Sequence, residues 1–472
     1  MNRNGAGLSR GPGRKGGPAG ARLCIGLAVA LVLGGCTSEG GPSGASAEGP
    51  PQVDQPKLIG QPVVPAGLQV APDAQRVDIR VPTFSDPANV TNPLHPTGLV
   101  ESILMVGTVD GKAFRTEVTL LPDTRIIEWQ GQQVETLVSQ YVAFLDGRIH
   151  EVAYDFYAQA DDGSVWYFGE DVFNFKDGVI ADTHGTWIAG KDGPAAMIMP
   201  AAPTVGDVYR PENIPGFVFE EVTVTSVGRS LEGPLGPVDG GLVIEELHMD
   251  GATEDKTFAP GYGEFYTAGG GDVEALAMAV PTDSLAGPPP GELSTLEDGA
   301  VDVYEAARSS EWKKASAEID QMTAAWESHR ASEVPKMIEP RLSGALEALA
   351  QAVGARNSAQ ARQAAIDTAQ WSLDLQLRHR PAVEVDIARF DLWAAQLLLD
   401  AEEGDSAAAN GDFFTLDYIR DRILHALDGV DVTRINIELE ELQGTVGDGD
   451  LSAAAGAVEQ LRDTLAGVEP LS

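Results

Sequence analysis

The sequence predicts an α+β protein: an antiparallel β-meander, built as a curved sheet or half-barrel, followed by an all-α helical bundle. Three observations carry this. Six Asp-Gly pairs recur between Arg76 and Pro281, several of them flanked by alternating segments, and Asp-Gly supplies the positive φ angles that tight hairpins need. No stretch of that region has a helical period of useful length. Beyond Gly287-Pro288-Pro289-Pro290-Gly291 the apolar spacing changes from two to about 3.6.

At the N-terminus, the first 35 residues hold five basic side chains and no acidic one. A basic segment leads into an apolar run, Leu23 to Leu33, too short to span a bilayer. It ends in Leu33-Gly34-Gly35-Cys36. This order of charge, apolar run, small residues and cysteine resembles bacterial lipoprotein signal peptides. The resemblance implies a signal peptide over 1–35, cleavage after Gly35, acylation of Cys36, and a mature chain on the extracytoplasmic face of the cell membrane. The absence of a twin arginine before the apolar run favours the Sec route. Residues 36–75 then form a lipidated cysteine and a Gly/Pro/Ser/Ala-rich tether with too little apolar surface to fold. Cys24 lies within the apolar run, so the mature chain keeps one cysteine, and that one carries lipid. Disulfides, thiol nucleophiles and thiolate metal sites are excluded.

The chain of 472 residues has a net charge of −39, and without the leader 27 basic residues face 71 acidic ones, a net −44. Such a surface repels nucleic acid and anionic headgroups. Cations and basic partners remain compatible with it.

The β domain is expected over 76–282, centred on Asp155 to Asp171, the most aromatic run in a chain that is 6% aromatic. Val152, Tyr154, Phe156 and Ala158 share one face of the first strand, and Glu151, Asp155, Tyr157 and Gln159 the other. On the second strand Val165 and Tyr167 oppose Trp166 and Phe168, so both faces are expected to be covered. The turn is read at Asp162-Gly163. The aromatics serve core packing; the functional alternative is a pocket lined by Trp166, Tyr157, Glu170, Asp155 and Trp187. Curved antiparallel sheets often enclose an apolar ligand cavity.

Asn92-Pro93-Leu94-His95-Pro96, Tyr157-Ala158-Gln159 and Gly163-Ser164-Val165-Trp166-Tyr167-Phe168-Gly169-Glu170 occur in order. So do Gly185 to Gly193, Met199-Pro200-Ala201, Gly206-Asp207-Val208-Tyr209-Arg210 and Ala259-Pro260-Gly261-Tyr262-Gly263. These motifs resemble a group of uncharacterised secreted or lipid-anchored bacterial proteins, over roughly residues 85 to 268. The resemblance brings no activity with it. His95 stands where it leads one to expect an aromatic such as Phe; if that position lines a pocket, the ligand differs.

No nucleophile elbow, His-Glu-x-x-His, phosphate loop or dinucleotide fingerprint is present. Asp155 and Glu170 lie where neighbouring strands can pair them as acid and base. Asp161-Asp162 is explained as a solvated turn. None of the seven histidines is paired at metal-ligand spacing; His150 and His184, in strand-like segments flanking the hairpin, are the weak candidates, and no cofactor is expected.

A Pro/Gly linker is expected over 283–296 and a helical bundle over 297–468. Stripes at three- and four-residue steps begin with Trp312-Ala315-Ile319-Met322-Trp326 and Leu342-Leu346-Leu349-Val353. Five more follow, predicting seven helices broken at Pro335, Pro340, Pro381, Gly404, Gly429 and Gly447. A shift of 93 positions overlays Leu346, Leu349, Val353, Gly354, Ala361 and Ala365 on Leu439, Leu442, Val446, Gly447, Ala454 and Val458. This suggests two related helical units with the Val383–Glu403 helix between them. Arg378-His379-Arg380 is the one basic cluster and suits a helix C-terminus.

The expected function is that of a non-enzymatic, lipid-anchored envelope protein. Its β domain binds a hydrophobic small molecule or acts as a scaffold, and its helices meet an envelope protein partner. The alternatives are metal handling and, behind it, a hydrolase using Asp155 and Glu170.

Overall fold

A computed structural model describes residues 67–468, 470 and 471. The expected signal peptide, Cys36 and nearly all of the tether lie outside the described residues. The strands are β1 (Ser102–Val109), β2 (Lys112–Trp129), β3 (Gln132–Leu145), β4 (Arg148–Gln159), β5 (Val165–Lys176), β6 (Val179–Asp182), β7 (Trp187–Ile188), β8 (Ala196–Met199), β9 (Val208–Ile214), β10 (Val218–Glu232), β11 (Pro237–His248), β12 (Thr253–Ala259), β13 (Gly263–Gly269) and β14 (Asp272–Val280). Eight helices follow: α1 (Gly291–Arg308), α2 (Trp312–His329), α3 (Glu339–Ala355), α4 (Ser358–Gln376), α5 (Ala382–Glu403), α6 (Ser406–Ile423), α7 (Gly429–Gly447) and α8 (Leu451–Leu465). The protein is thus α+β, a meander followed by helices. No helix among the described residues is long and apolar enough to cross a membrane.

All fourteen strands belong to one open antiparallel sheet. Its order, β6-β5-β4-β3-β2-β1-β14-β13-β12-β11-β10-β9, is two meanders joined where β1 pairs with β14. The turn chemistry explains the register. Asp110-Gly111, Asp146-Gly147 and Asp177-Gly178 all hold positive φ at both positions, as does Gln130-Gly131, which is not an Asp-Gly pair. These are the paired left-handed conformations of two-residue hairpins. The Asp162 turn is different. Only Gly163 has positive φ, the loop closes from Ala160 to Ser164, and the Asp162 carboxylate accepts from the Ser164 N–H and hydroxyl.

Alternation sorts the side chains of β1–β5 onto two faces. One face turns inward, with Val118, Ser139, Tyr141, Asp155, Tyr157 and Tyr167 on a cavity wall. The other turns toward the helices and the segment preceding β1. There Trp166 packs in a core with Trp129, Phe156 and Phe168. Phe84 covers Phe168 edge-on at 5.4 Å. Asn92 clamps this cover, its amide donating to the Gly163 and Pro200 carbonyls.

The helices form two four-membered rings. In the first, α1 packs on α2 and α4, and α3 on α2 and α4; in the second, α5 packs on α6 and α8, and α7 on α6 and α8. The structure therefore has one helix more than the stripes predict. Helix α1 starts inside the expected linker, burying Leu293, Leu296, Ala300 and Val303. Helix α5 is not a spacer between two units but the first helix of the second. The residues related by the 93-position shift fall at matching places in α3–α4 and α7–α8, and the five apolar pairs are buried in both. Aspartates cap the second ring: Asp405, Asp428 and Asp450 accept from the first-turn N–H groups of α6, α7 and α8. The Arg378 guanidinium does not form a basic patch. It is buried, donating to the Asp283 carbonyl at the start of the linker and to the Glu333 carbonyl between α2 and α3.

Both rings cover the outer face of the sheet. Leu104, Val106, Met278 and Val280 join the core of the first. Phe144 stacks on Trp393 at 5.2 Å, and Tyr154 donates to Asp421. Where α6 crosses the β5–β6 turn, Gly178 lies against the Ala407 carbonyl with no room for a Cβ. Between these apolar contacts sits a buried ionic network. Arg115 bonds Glu117 and Asp374 at 2.7 Å. Arg389 bonds Asp374 and Asp386 at 2.7 and 2.9 Å. Arg422 bonds Glu117 at 2.7 Å and Gln140 at 2.6 Å. Burial opposes the Glu117 charge, but Arg389, Arg115 and Arg422 outweigh it and hold the carboxyl well below its usual range.

Removing one member leaves the opposite charge buried and unpaired, at a cost of about 3–5 kcal/mol. Glu117→Gln is expected to lose that much in urea unfolding, and Arg422→Met in the same background to recover part of it. A loss under about 1 kcal/mol, typical of exposed pairs, would show that the network is not buried in solution.

Candidate functional site

The inward face of the sheet encloses a cavity of about 180 Å³. Its walls come from both meanders and from the segment before β1. Seven rings line them, His95, Tyr141, Tyr157, Tyr167, Tyr209, Phe258 and Tyr262, among aliphatic side chains such as Ile103, Met105, Val118 and Ile244. Six carboxyls also face it, Asp155, Glu212, Glu220, Glu246, Glu264 and Glu274, against one amine, Lys256. The concavity is largely apolar, as expected, with carboxyls set into its wall.

At one end, β4 and β5 place Asp155 opposite Glu170 in register, with a bulge following toward Tyr157 and Tyr167. Tyr157 and Tyr167 stack with centroids 5.0 Å apart. The Tyr167 hydroxyl donates to Asp155 at 2.7 Å. His95 meets Tyr157 edge-on at 4.7 Å, so the position where a Phe was expected does line the pocket. Burial pushes the Asp155 carboxyl up to about 7, against the opposing hydrogen bonds from Tyr167 and Tyr157. Burial, reinforced by Glu212 and Asp155, drives Glu170 well above the carboxylate range. Burial lowers His95 to about 4, keeping it neutral.

At the other end, β10, β11 and β12 bring charged groups into contact. Glu220 pairs in register with His248, and Glu246 with Glu254. His248 Nδ1 lies 3.4 Å from Glu220, and its Nε2 lies 3.5 Å from Glu254. Lys256 Nζ lies 3.0 Å from Glu246 and 3.3 Å from Glu254. Burial disfavours the imidazolium, but hydrogen bonds to Glu220 and Glu254 outweigh it and raise His248 to about 11. Burial and the Glu220 charge raise Glu246 to about 8. Glu212, in register with Glu220, is driven well above its usual range by burial and by Glu220 and Glu246.

Of the residues singled out from sequence, Asp155 and Tyr157 line the cavity. Glu170 has no exposed surface and lies outside the lining, as does Trp187, whose ring meets Tyr167 edge-on at 5.4 Å. Trp166 is on the opposite face of the sheet, its Nε1 donating to Ser164. The two histidine candidates do not converge: His150 is exposed on β4, and the His184 ring packs 5.3 Å from Phe217. His248 belongs to the histidines a metal-handling role would draw on, but its carboxylate partners were missed because Glu246, Glu254 and Lys256 alternate like the wet face of a strand. A usable signal was Leu242 and Ile244 on the same parity as Glu246 and His248, which puts the charged pair on an inward face.

A hydrolase needs both catalytic carboxyls in one open cleft. Asp155 reaches the cavity and Glu170 does not. The cavity combines aromatic faces, carboxyls pushed by burial toward their protonated form and one amine.

The retained protons have a consequence for stability. Glu151 and Glu274, raised to about 8 by burial, join Asp155 and Glu246. Their unfolded counterparts ionise near 4.3, so the folded state binds more protons up to about pH 8, and stability falls as pH rises. His248 acts in the same direction, since its raised value contributes below 6.5 and is lost on the way to 11. His95, lowered, contributes above 6.5 and is lost only as pH falls toward 4. The melting temperature is therefore expected to drop between pH 6.5 and 8, by calorimetry at constant ionic strength. A rise over that window would contradict the assignment.

In the comparisons with known proteins, no family model matches the chain, and no curated protein matches it.

Proposed function

We propose that this is a non-enzymatic binding protein of the cell envelope, anchored through acylated Cys36, whose β domain holds a small organic cation. The single observation that carries the reading is the cavity wall: stacked Tyr157 and Tyr167 beside Asp155, within a lining of six carboxyls and one amine. Aromatic faces attract cations through their quadrupole, and more strongly when water is excluded. The volume supports a compact guest. An engineered cavity of about 150 Å³ takes benzene, and drug-sized ligands use about 300–1,000 Å³. A lipid-sized apolar molecule exceeds that volume. The helices, packed over the outer face, act as a spacer or partner-binding domain.

The test is calorimetric titration of the full-length chain with tetramethylammonium and choline. Asp155 releases its proton as a cation arrives, so affinity is expected to rise between pH 6 and 8. Asp155→Asn is expected to weaken binding about tenfold and flatten that pH dependence, and Tyr157→Leu to weaken it while leaving the dependence in place. Absence of binding by either ammonium ion, together with a neutral lipid released from the native protein in a denaturing mass spectrum, would replace this reading with an apolar carrier.

A further inference from the structure

The β10–β12 end of the cavity has the donors of a divalent transition-metal site. One carboxylate oxygen each from Glu220 and Glu246 and one ring nitrogen of His248 all lie within 4.8 Å of one another. A small closure brings such a set to the 2.0–2.2 Å bonds of zinc with nitrogen and oxygen ligands. Whichever ring nitrogen meets the ion, the other already faces a carboxylate, Glu220 from Nδ1 or Glu254 from Nε2. That second carboxylate would fix the ring and raise its basicity.

An independent observation is Glu212. It is 2% exposed, faces the same cavity, and is in register with Glu220. Neither of its carboxyl oxygens has a hydrogen-bond partner. A buried carboxyl left this way is destabilising, and an ion beside Glu220 would give it a partner. Lys256 adds a third point: its ammonium between Glu246 and Glu254 shows that this corner accommodates positive charge.

We infer that Glu220, Glu246 and His248 form a binding site for one divalent transition ion, with Glu212 as the adjoining oxygen donor and Lys256 as the built-in competitor. An imidazole among carboxylates suits Zn²⁺, Mn²⁺ or Fe²⁺; calcium and magnesium prefer all-oxygen sets, and Cu⁺ prefers sulfur. The site is at the β10–β12 end of the cavity that the Asp155–Tyr157–Tyr167 wall also lines, so zinc is titrated with no ammonium ion present, and a loss in His248→Gln, a residue outside that lining, reports on the metal site alone.

The probe is Zn²⁺ alone, titrated into the metal-free full-length chain. One ion per chain is expected, with an X-ray absorption spectrum containing one imidazole nitrogen among oxygen donors. His248→Gln and Glu246→Gln should each weaken binding about tenfold or more. Lys256→Met should tighten it severalfold by freeing the Glu246 and Glu254 oxygens, a gain that misfolding cannot mimic. Three results would each overturn the site: no stoichiometric zinc, affinity unchanged in His248→Gln, or a bound ion without imidazole.

Discussion

The structure depends on the seam between the outer face of β2–β3 and helices α4–α6. Three guanidinium groups, Arg115, Arg389 and Arg422, meet Glu117, Asp374 and Asp386 there. Buried ion pairs add little net stability over apolar packing, but they discriminate strongly against wrong arrangements, since any misdocking strands a charge. Apolar contacts around it, such as Phe144 on Trp393, tolerate sliding; the ionic set does not. One side of the sheet is thereby fixed in position and curvature.

That rigid backing makes the other side intelligible. The inner face keeps carboxyls in a partly enclosed space, where burial pushes several of them toward the protonated form, with Tyr209 Oη and both Glu212 oxygens lacking partners. A freestanding curved sheet could relieve such groups by flattening and admitting water. Here the helices hold the curvature, and the cost is carried by the fold as a whole. Preorganised polar groups of this kind are common where a protein binds something, because the ligand then finds its partners already in place.

Much of the fold was legible because local chemistry dictates it. Asp110-Gly111, Asp146-Gly147 and Asp177-Gly178 form the turns their dipeptides predict, and the alternation along Glu151–Gln159 sorts the faces as read. Helix α1 was missed because its stripe, Leu293 to Val303, follows directly on three prolines, so its first turns were read as linker. That omission displaced the boundary between the helical units and made α5 a spacer. The site was less legible. Aromatics occupy both faces of the β4–β5 hairpin, and nothing local tells which face a ligand meets. Trp166 therefore looked like Tyr157 until the sheet's curvature separated them. The Glu220–Glu246–His248 group draws on two strands and looks like solvent-facing alternation on each; only long-range pairing reveals it.

The joining of the two meanders bears on how the chain folds. Ser102, at the start of the first strand, pairs with Val280, at the end of the last. Each meander can zip locally from its hairpins, but β1 keeps an unpaired edge until β14 has been made and delivered. Contacts so distant in sequence are entropically late and slow to form, and a long unpaired edge invites association with other chains. A newly made chain would thus pass through a stage in which half the sheet is complete and its growing edge bare. The β1 edge is then the surface most exposed to association with other chains.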